Sequence, residues 1–334
     1  MDFGQDGRAA RAMGLGGSSD GGREPSDLPA AITDIGCERD INEDRYAIIN
    51  SPMGRTWVVC DGMGGELGGD LAAQLAIDAL RRSLESCDCE EPSDALAFAI
   101  EEANRIIVLR RQNPAFSGMG TTVVAALVCG DELVVMHVGD SRAYLIRGSE
   151  VEQLTTDHSY VQDLVAKGTI TQEEALSHPQ SHVLTRCLGA EPKVDVEGQS
   201  LWIWDCAASP ADKLLLCSDG LYSLVSDSEI AEVVNSMSPR ESCVELVEMA
   251  KERGGFDNIT VAIMPVNGQV KTQRAAGSKR AAVRRRRRAP RERKPITLEK
   301  REVPLLKRLL LSFIFAVLGC VVGVVIVLLQ LIMG

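Results

Sequence analysis

The run TTVVAALVCGDELVVMHVGDSRAYLIR, residues 121–147, decides the fold. Its three apolar stretches, 121–129, 132–138 and 142–147, are parted by Gly and Asp turns too short to hold a crossover helix, so hairpins and antiparallel pairing are expected. Outward from this run, further short strands are expected at about 44–50, 55–60, 213–217 and 259–264. Between them, 67–84 places Leu71, Ala72, Leu75, Ala76, Ala79 and Leu80 on one helical face, and 93–111 and 239–252 read similarly, with Ser93 and Pro239 near their starts. Helices grouped between runs of strands predict an α+β domain with antiparallel sheets and helices packed outside, not a βαβ repeat.

The 334 residues divide by composition. Residues 1–29, rich in Gly, Ser and charge, predict a disordered start and not a signal peptide. The patterned domain runs over 30–267. A basic linker follows over 268–304, with Arg284 to Arg288 in a row, and an apolar segment closes the chain over 305–334. Leu309 to Met333 carries only Ser312 and Gln330 as polar side chains, which predicts a single membrane-spanning helix. The basic residues all precede it, so the rest of the chain is expected on the cytoplasmic side of a cell membrane.

Charge follows the same division. Residues 269–334 hold 16 Lys and Arg against 3 Asp and Glu, while the whole chain has net charge −11, so the body is strongly acidic. An acidic body excludes nucleic acid as the main partner and suits a collector of cations; the basic linker suits anionic lipid. The ten cysteines lack Cys-x-x-Cys spacing and read as small buried hydrophobes in a reducing compartment. Gly319 and Gly323 do not by themselves predict a dimer.

Several segments share one chemical design, an apolar run ending at an aspartate in a Gly-containing turn. Val58-Val59-Cys60-Asp61-Gly62, Leu215-Leu216-Cys217-Ser218-Asp219-Gly220 and Val138-Gly139-Asp140-Ser141 follow it, while Asn42-Glu43-Asp44 and Asp257-Asn258 precede strands. Convergence of these carboxylates would make a pocket untenable without cations, because like charges raise one another's pKa. Oxygen donors without Cys or His at ligand spacing point to Mg²⁺ or Mn²⁺ rather than zinc. The Gly62 carbonyl can add a ligand where no side chain obstructs.

Asp61-Gly62-Met63-Gly64-Gly65, Gly139-Asp140-Ser141-Arg142, Ser218-Asp219-Gly220 and Asp257-Asn258-Ile259-Thr260, following Arg39-Asp40-Ile41-Asn42-Glu43-Asp44, closely resemble the motifs of the metal-dependent type 2C protein serine/threonine phosphatases, above all the bacterial ones. The resemblance covers about residues 30–265. It implies a four-layer αββα sandwich of two antiparallel sheets flanked by helices. It also implies two divalent cations, with Asp61 bridging them, Asp219 and Asp257 on one, the Gly62 carbonyl on the other and Asp44 acting through bound water. Asp140 matches a third-ion ligand shared with Asp219, and Arg39 matches the arginine that grips substrate phosphate, for which its planar fork is suited. The implied reaction is direct attack of a cation-activated water on phosphoserine or phosphothreonine proteins, without a phosphoenzyme. Together with the anchor, it suggests a phosphatase opposing membrane serine/threonine kinases.

Two positions depart from the family pattern. Met63 stands where many members carry a histidine proposed as general acid, and Glu66 where bacterial members often have histidine. Met119-Gly120-Thr121-Thr122 opens a strand near the expected site, and Asp157-His158 to Thr185-Arg186 resembles the family's flap region. His158 and His182 receive no catalytic role. The hydrolase-like Gly17-Ser18-Ser19-Asp20-Gly21 lacks a flanking strand or helix and is set aside, and no phosphate-binding Gly-Lys-Ser/Thr loop is present.

Overall fold

A computed structural model describes residues 28–64, 68–202 and 212–266. The expected basic linker and membrane anchor lie outside the described residues, as does the start of the chain up to residue 27 and Glu66. Among the described residues no helix is long and apolar enough to cross a membrane.

The strands are β1 (Ala30–Asp34), β2 (Arg45–Ser51), β3 (Gly54–Cys60), β4 (Gly62–Met63), β5 (Gly120–Thr121), β6 (Val123–Cys129), β7 (Glu132–Val138), β8 (Arg142–Arg147), β9 (Glu150–Gln153), β10 (Glu197–Trp202), β11 (Lys213–Cys217) and β12 (Ile259–Pro265). The helices are α1 (Gly69–Ser86), α2 (Pro92–Arg111), α3 (Tyr160–Ala166), α4 (Gln172–Leu176), α5 (Asp219–Tyr222), α6 (Asp227–Ser236) and α7 (Pro239–Glu252). Two antiparallel five-stranded sheets result, in the orders β1-β12-β11-β8-β9 and β10-β7-β6-β3-β2, with β4 and β5 forming a small ladder of their own.

The near-continuous apolar runs follow from burial on both faces of each sheet. Trp57 and Val59 on β3, with Val124, Ala126 and Val135, meet Leu145, Leu214, Leu216 and Met264 from the other sheet in a core between the sheets. The alternate residues Val58 and Cys60 face α1 and α2, and Leu215 and Cys217 face α6 and α7. Helices therefore cover both outer faces. On α1 the fully covered face includes Ala73 and Ile77, whereas Leu71 and Leu75 are only partly buried, so the helix is rotated from the stripe expected. Ser238 starts α7 with a reciprocal capping pair to Glu241, and Pro239 fills the first turn, where a missing N–H costs nothing.

Two expectations are corrected. The 121–147 run makes one hairpin, β6 with β7, and then crosses: β8 pairs with β11 in the facing sheet. Gly139, with φ of +108°, turns the chain at that crossover and so puts Asp140 between the sheets' ends. The cysteines are not all reduced and buried either. Cys87 and Cys89 are disulfide-bonded between α1 and α2, and Cys37 is exposed.

Candidate metal centre

The carboxylates sit at strand ends whose backbones are pinned from neighbouring elements. The Asp61 N–H donates to Thr122 Oγ1 at 3.0 Å, while its carbonyl accepts from the Thr122 N–H at 2.8 Å and Thr121 Oγ1 at 2.9 Å. Thr122 Oγ1 in turn shares a 2.7 Å hydrogen bond with Ser141 Oγ, beside Asp140. A Cβ on Gly139 would lie 2.6 Å from Thr122 Cγ2, so the same threonine also demands glycine at the crossover.

Asp219 opens α5, directly after Ser218. Ser218 Oγ accepts from the Thr260 N–H at 3.0 Å and donates to Asp44 Oδ2 at 2.7 Å, joining three segments in one buried chain of bonds. Asp257 Oδ2 accepts from Arg39 Nη2 at 2.8 Å, and Asp257 Oδ1 from the Asn258 N–H at 2.7 Å. Asn258 is buried and clamps the Arg39 loop. Its Oδ1 accepts from the Glu43 N–H at 2.8 Å, and its Nδ2 donates to the Ile35 and Ile41 carbonyls at 2.9 and 3.1 Å. Glu43 Oε1 then accepts from the Gly69 N–H at the positive end of α1, and Arg45 pairs with Asp70 one residue further on. Gly62 is enclosed by this junction: a Cβ there would lie 2.2 Å from the Gly69 carbonyl oxygen and 2.6 Å from that of Glu43.

The electrostatics register the crowding. Burial, then Asp44, Asp219, Asp140 and Asp257, push the Asp61 carboxyl well above its ordinary range. Burial raises Asp44 to about 7 against the hydrogen bonds from Ser218 and Thr260, with Asp219 and Asp257 adding to the rise. Asp140 is raised to about 8 by burial and then by Asp219 and Asp157, and Asp257 is raised by burial and then by Asp219. Asp44, Asp140, Asp219 and Asp257 thus all bear on Asp61, and Arg39 stands at their edge. Among the described residues Asp219 Oδ1 is buried without a hydrogen-bond partner.

Other parts of the site carry no mark in residue spacing. Ser218 and Asn258 pin the aspartate loops by the bonds above. Arg142 makes a two-pronged pair with Asp157, donates to Tyr144 Oη at 2.8 Å and stacks 3.6 Å above the Tyr222 ring, a buried pillar beside α5. The two histidines separate: His158 is buried, accepting at Nδ1 from the Gly139 N–H, whereas His182 is exposed with Nδ1 3.8 Å from Asp219 Oδ2. A cleft of about 400 Å³ opens beside Asp140, Asp219 and His182 and runs between the flap and the wall formed by Tyr222 to Ser226, Glu229, Arg253 and Phe256.

A family profile described as Protein phosphatase 2C matches residues 38–252, which hold Arg39, Asp44, Asp61, Asp140 and Asp219 and stop short of the Asp257 loop and β12. The chain belongs to the protein phosphatase 2C family. It is a phosphoprotein phosphatase. The serine/threonine phosphatase stp of Listeria innocua is 37% identical over 242 residues, 70% of this chain and 94% of that protein. Protein phosphatase PhpP of Streptococcus pneumoniae is 36% identical over 241 residues, covering 71% and 96%. Among solved structures, the Mycobacterium tuberculosis serine/threonine phosphatase PstP/Ppp matches with a TM-score of 0.64 at 37% identity, over 71% of this chain and 97% of that one. A structure of the PstP catalytic domain in complex with two manganese ions matches with a TM-score of 0.60 at 36% identity, over 71% and 96%.

The 2C-type site of this chain fits hard cations by its own chemistry. Its donors are carboxylate and carbonyl oxygens, and one buried carboxylate oxygen has no partner. Among the described residues no three His, Cys, Asp or Glu side chains are already gathered as a metal cage.

Proposed function

We propose that this chain dephosphorylates phosphoserine and phosphothreonine in proteins with divalent cations held by Asp44, Asp61, Asp140, Asp219, Asp257 and the Gly62 carbonyl. The observation that carries this reading is the unpartnered, buried Asp219 Oδ1 among carboxylates that raise one another's pKa. Bound Mn²⁺ or Mg²⁺ supplies charge neutralisation, Lewis-acid polarisation and a lowered pKa for water at the site.

The chain's own residues do the rest. Thr121 and Thr122 hold the Asp61 peptide rigid between the sheets, so its carboxylate is presented without reorganisation. Ser218 orients the buried Asp44 carboxylate. Arg39, half exposed and paired only at its Nη2 with Asp257, turns its remaining donors to a phosphate oxygen. Asp140 and Asp219 form the place for a third cation.

Hydrolysis of phosphothreonine and phosphotyrosine peptides with and without Mn²⁺ or Mg²⁺ tests the reading. Asp61→Asn and Asp219→Asn are expected to abolish turnover with the circular dichroism spectrum unchanged; full turnover of an aryl phosphate by either overturns it.

The sequence supports a second part of the proposal. The apolar segment 309–333 behind its basic linker anchors the phosphatase to the cytoplasmic face of a cell membrane, where it opposes membrane serine/threonine kinases. Flotation with and without residues 305–334 checks this, and equal recovery of both in the soluble fraction sinks it.

A further inference from the structure

We propose that the cleft beside the carboxylates receives the substrate's polypeptide and that Phe256 selects an apolar side chain next to the phosphorylated residue. This deepens the phosphatase reading and rests on it. Asp140, Asp219 and Phe256 line the same cleft, so a chain whose phosphate lies beside these two carboxylates has its neighbouring residues within the cleft.

The backbone before Phe256 is fixed by a two-glycine turn. Gly254 and Gly255, with φ of +124° and +52°, turn the chain after α7, and the Cys37 N–H fixes the turn by donating to the Gly255 carbonyl at 2.7 Å. The loop then delivers two consecutive residues of opposite character. Asp257 joins the carboxylates, and Phe256 keeps 39% of its surface in water at the cleft. Covering that ring is a gain of apolar burial that folding leaves unused.

The surroundings point to an apolar partner. Ile35 and Ile41 are also exposed, at 38% and 43%, on the loop that Asn258 clamps against the Phe256 loop, so apolar side chains flank the Arg39–Asp257 pair. The charges of the far wall neutralise each other. Arg253 bonds Glu229 at 2.6 and 2.9 Å and also donates to the Leu224 carbonyl. Selection by charge is therefore weak along this wall, where Leu224, Val225 and Phe256 offer apolar contact.

The test uses the full chain loaded with Mn²⁺ and phosphothreonine peptides differing only in the two residues beside the phosphothreonine, as Leu, Ser or Asp. Non-hydrolysable phosphonate versions give affinity by fluorescence anisotropy, and the phosphopeptides give KM and kcat beside an aryl phosphate. The native chain is expected to bind the Leu-flanked peptide about tenfold more tightly than the Asp-flanked one, the scale of a few buried methylenes. Phe256→Ser is expected to erase that ratio, chiefly in KM, and Phe256→Leu to restore most of it. An equal ratio in the native chain and Phe256→Ser overturns the proposal. Selective phosphonate binding without turnover of any substrate upholds the cleft and sinks the phosphatase reading; turnover with no flank preference sinks the cleft alone.

Discussion

Ser218 Oγ donates a 2.7 Å hydrogen bond to Asp44 Oδ2 across 174 residues of chain, and both side chains are almost wholly buried. Removing the donor leaves a buried carboxylate short of a partner. Ser218→Ala is expected to cost about 1–3 kcal/mol. Urea unfolding at pH 8 in excess chelator measures it, and an unchanged midpoint would show that the bond holds nothing.

Metal removal should make stability depend on pH in one direction. Asp44 is raised to about 7 and Asp140 to about 8 from an ordinary 3.8, so the folded chain keeps protons that the unfolded chain has released. Their stabilising contribution is complete below about pH 4 and is lost as pH rises through 7 to 8, each group removing up to about 1.4 kcal/mol per pH unit. In EDTA the urea midpoint is expected to fall steadily from pH 5 to pH 8, and added Mn²⁺ to restore it at pH 8. A midpoint flat with pH in EDTA contradicts the mutual repulsion described.

Asn258 makes three side-chain bonds that tie the Arg39 loop to β12. Asn258→Ala is expected to destabilise by roughly 1–3 kcal/mol, since three part-buried peptide groups lose their side-chain partner. It should also raise KM, because the loop bearing Arg39 loses its clamp. Steady-state kinetics at saturating Mn²⁺ separates the two effects; a native KM in a destabilised variant would deny the positioning role.

Gly62 has no room for a methyl group, with backbone carbonyl oxygens 2.2 and 2.6 Å from where it would stand. Gly62→Ala must part α1 from the Glu43 loop. A loss of about 2 kcal/mol or more and a right-shifted Mn²⁺ activation curve are expected. Calorimetry and Mn²⁺ titration of activity check them.

Much of this was legible because strand ends and carboxylates coincide in the chain. The runs 132–138, 142–147 and 213–217 became strands with those bounds, and each of the three ends in or begins from an aspartate turn. What the sequence concealed was weakly patterned or non-local. Glu197-Gly198-Gln199-Ser200 in β10 is too polar to announce a strand, and it is held by pairing with β7. The transfer of β8 to the facing sheet leaves no local mark beyond Gly139. Pairings such as Arg142 with Asp157, or Ser218 with Asp44, depend on which elements become neighbours, and residue spacing carries no record of that. The Cys87–Cys89 bond sat at a spacing that had been read only against metal sites.

The pairing of β1 with β12 sets when the molecule can work. Ala30 to Asp34 emerge early in synthesis, yet among the described residues their only strand neighbour is Ile259 to Ile263. A nascent chain stopped anywhere before that has an unpaired sheet edge and lacks Asp257 and Asn258, so the Arg39 loop has nothing to close on. Such non-local pairing folds late and as a unit. Closing β1 against β12 and closing the Arg39 loop on Asn258 are therefore one event, made of residues from opposite ends of the domain.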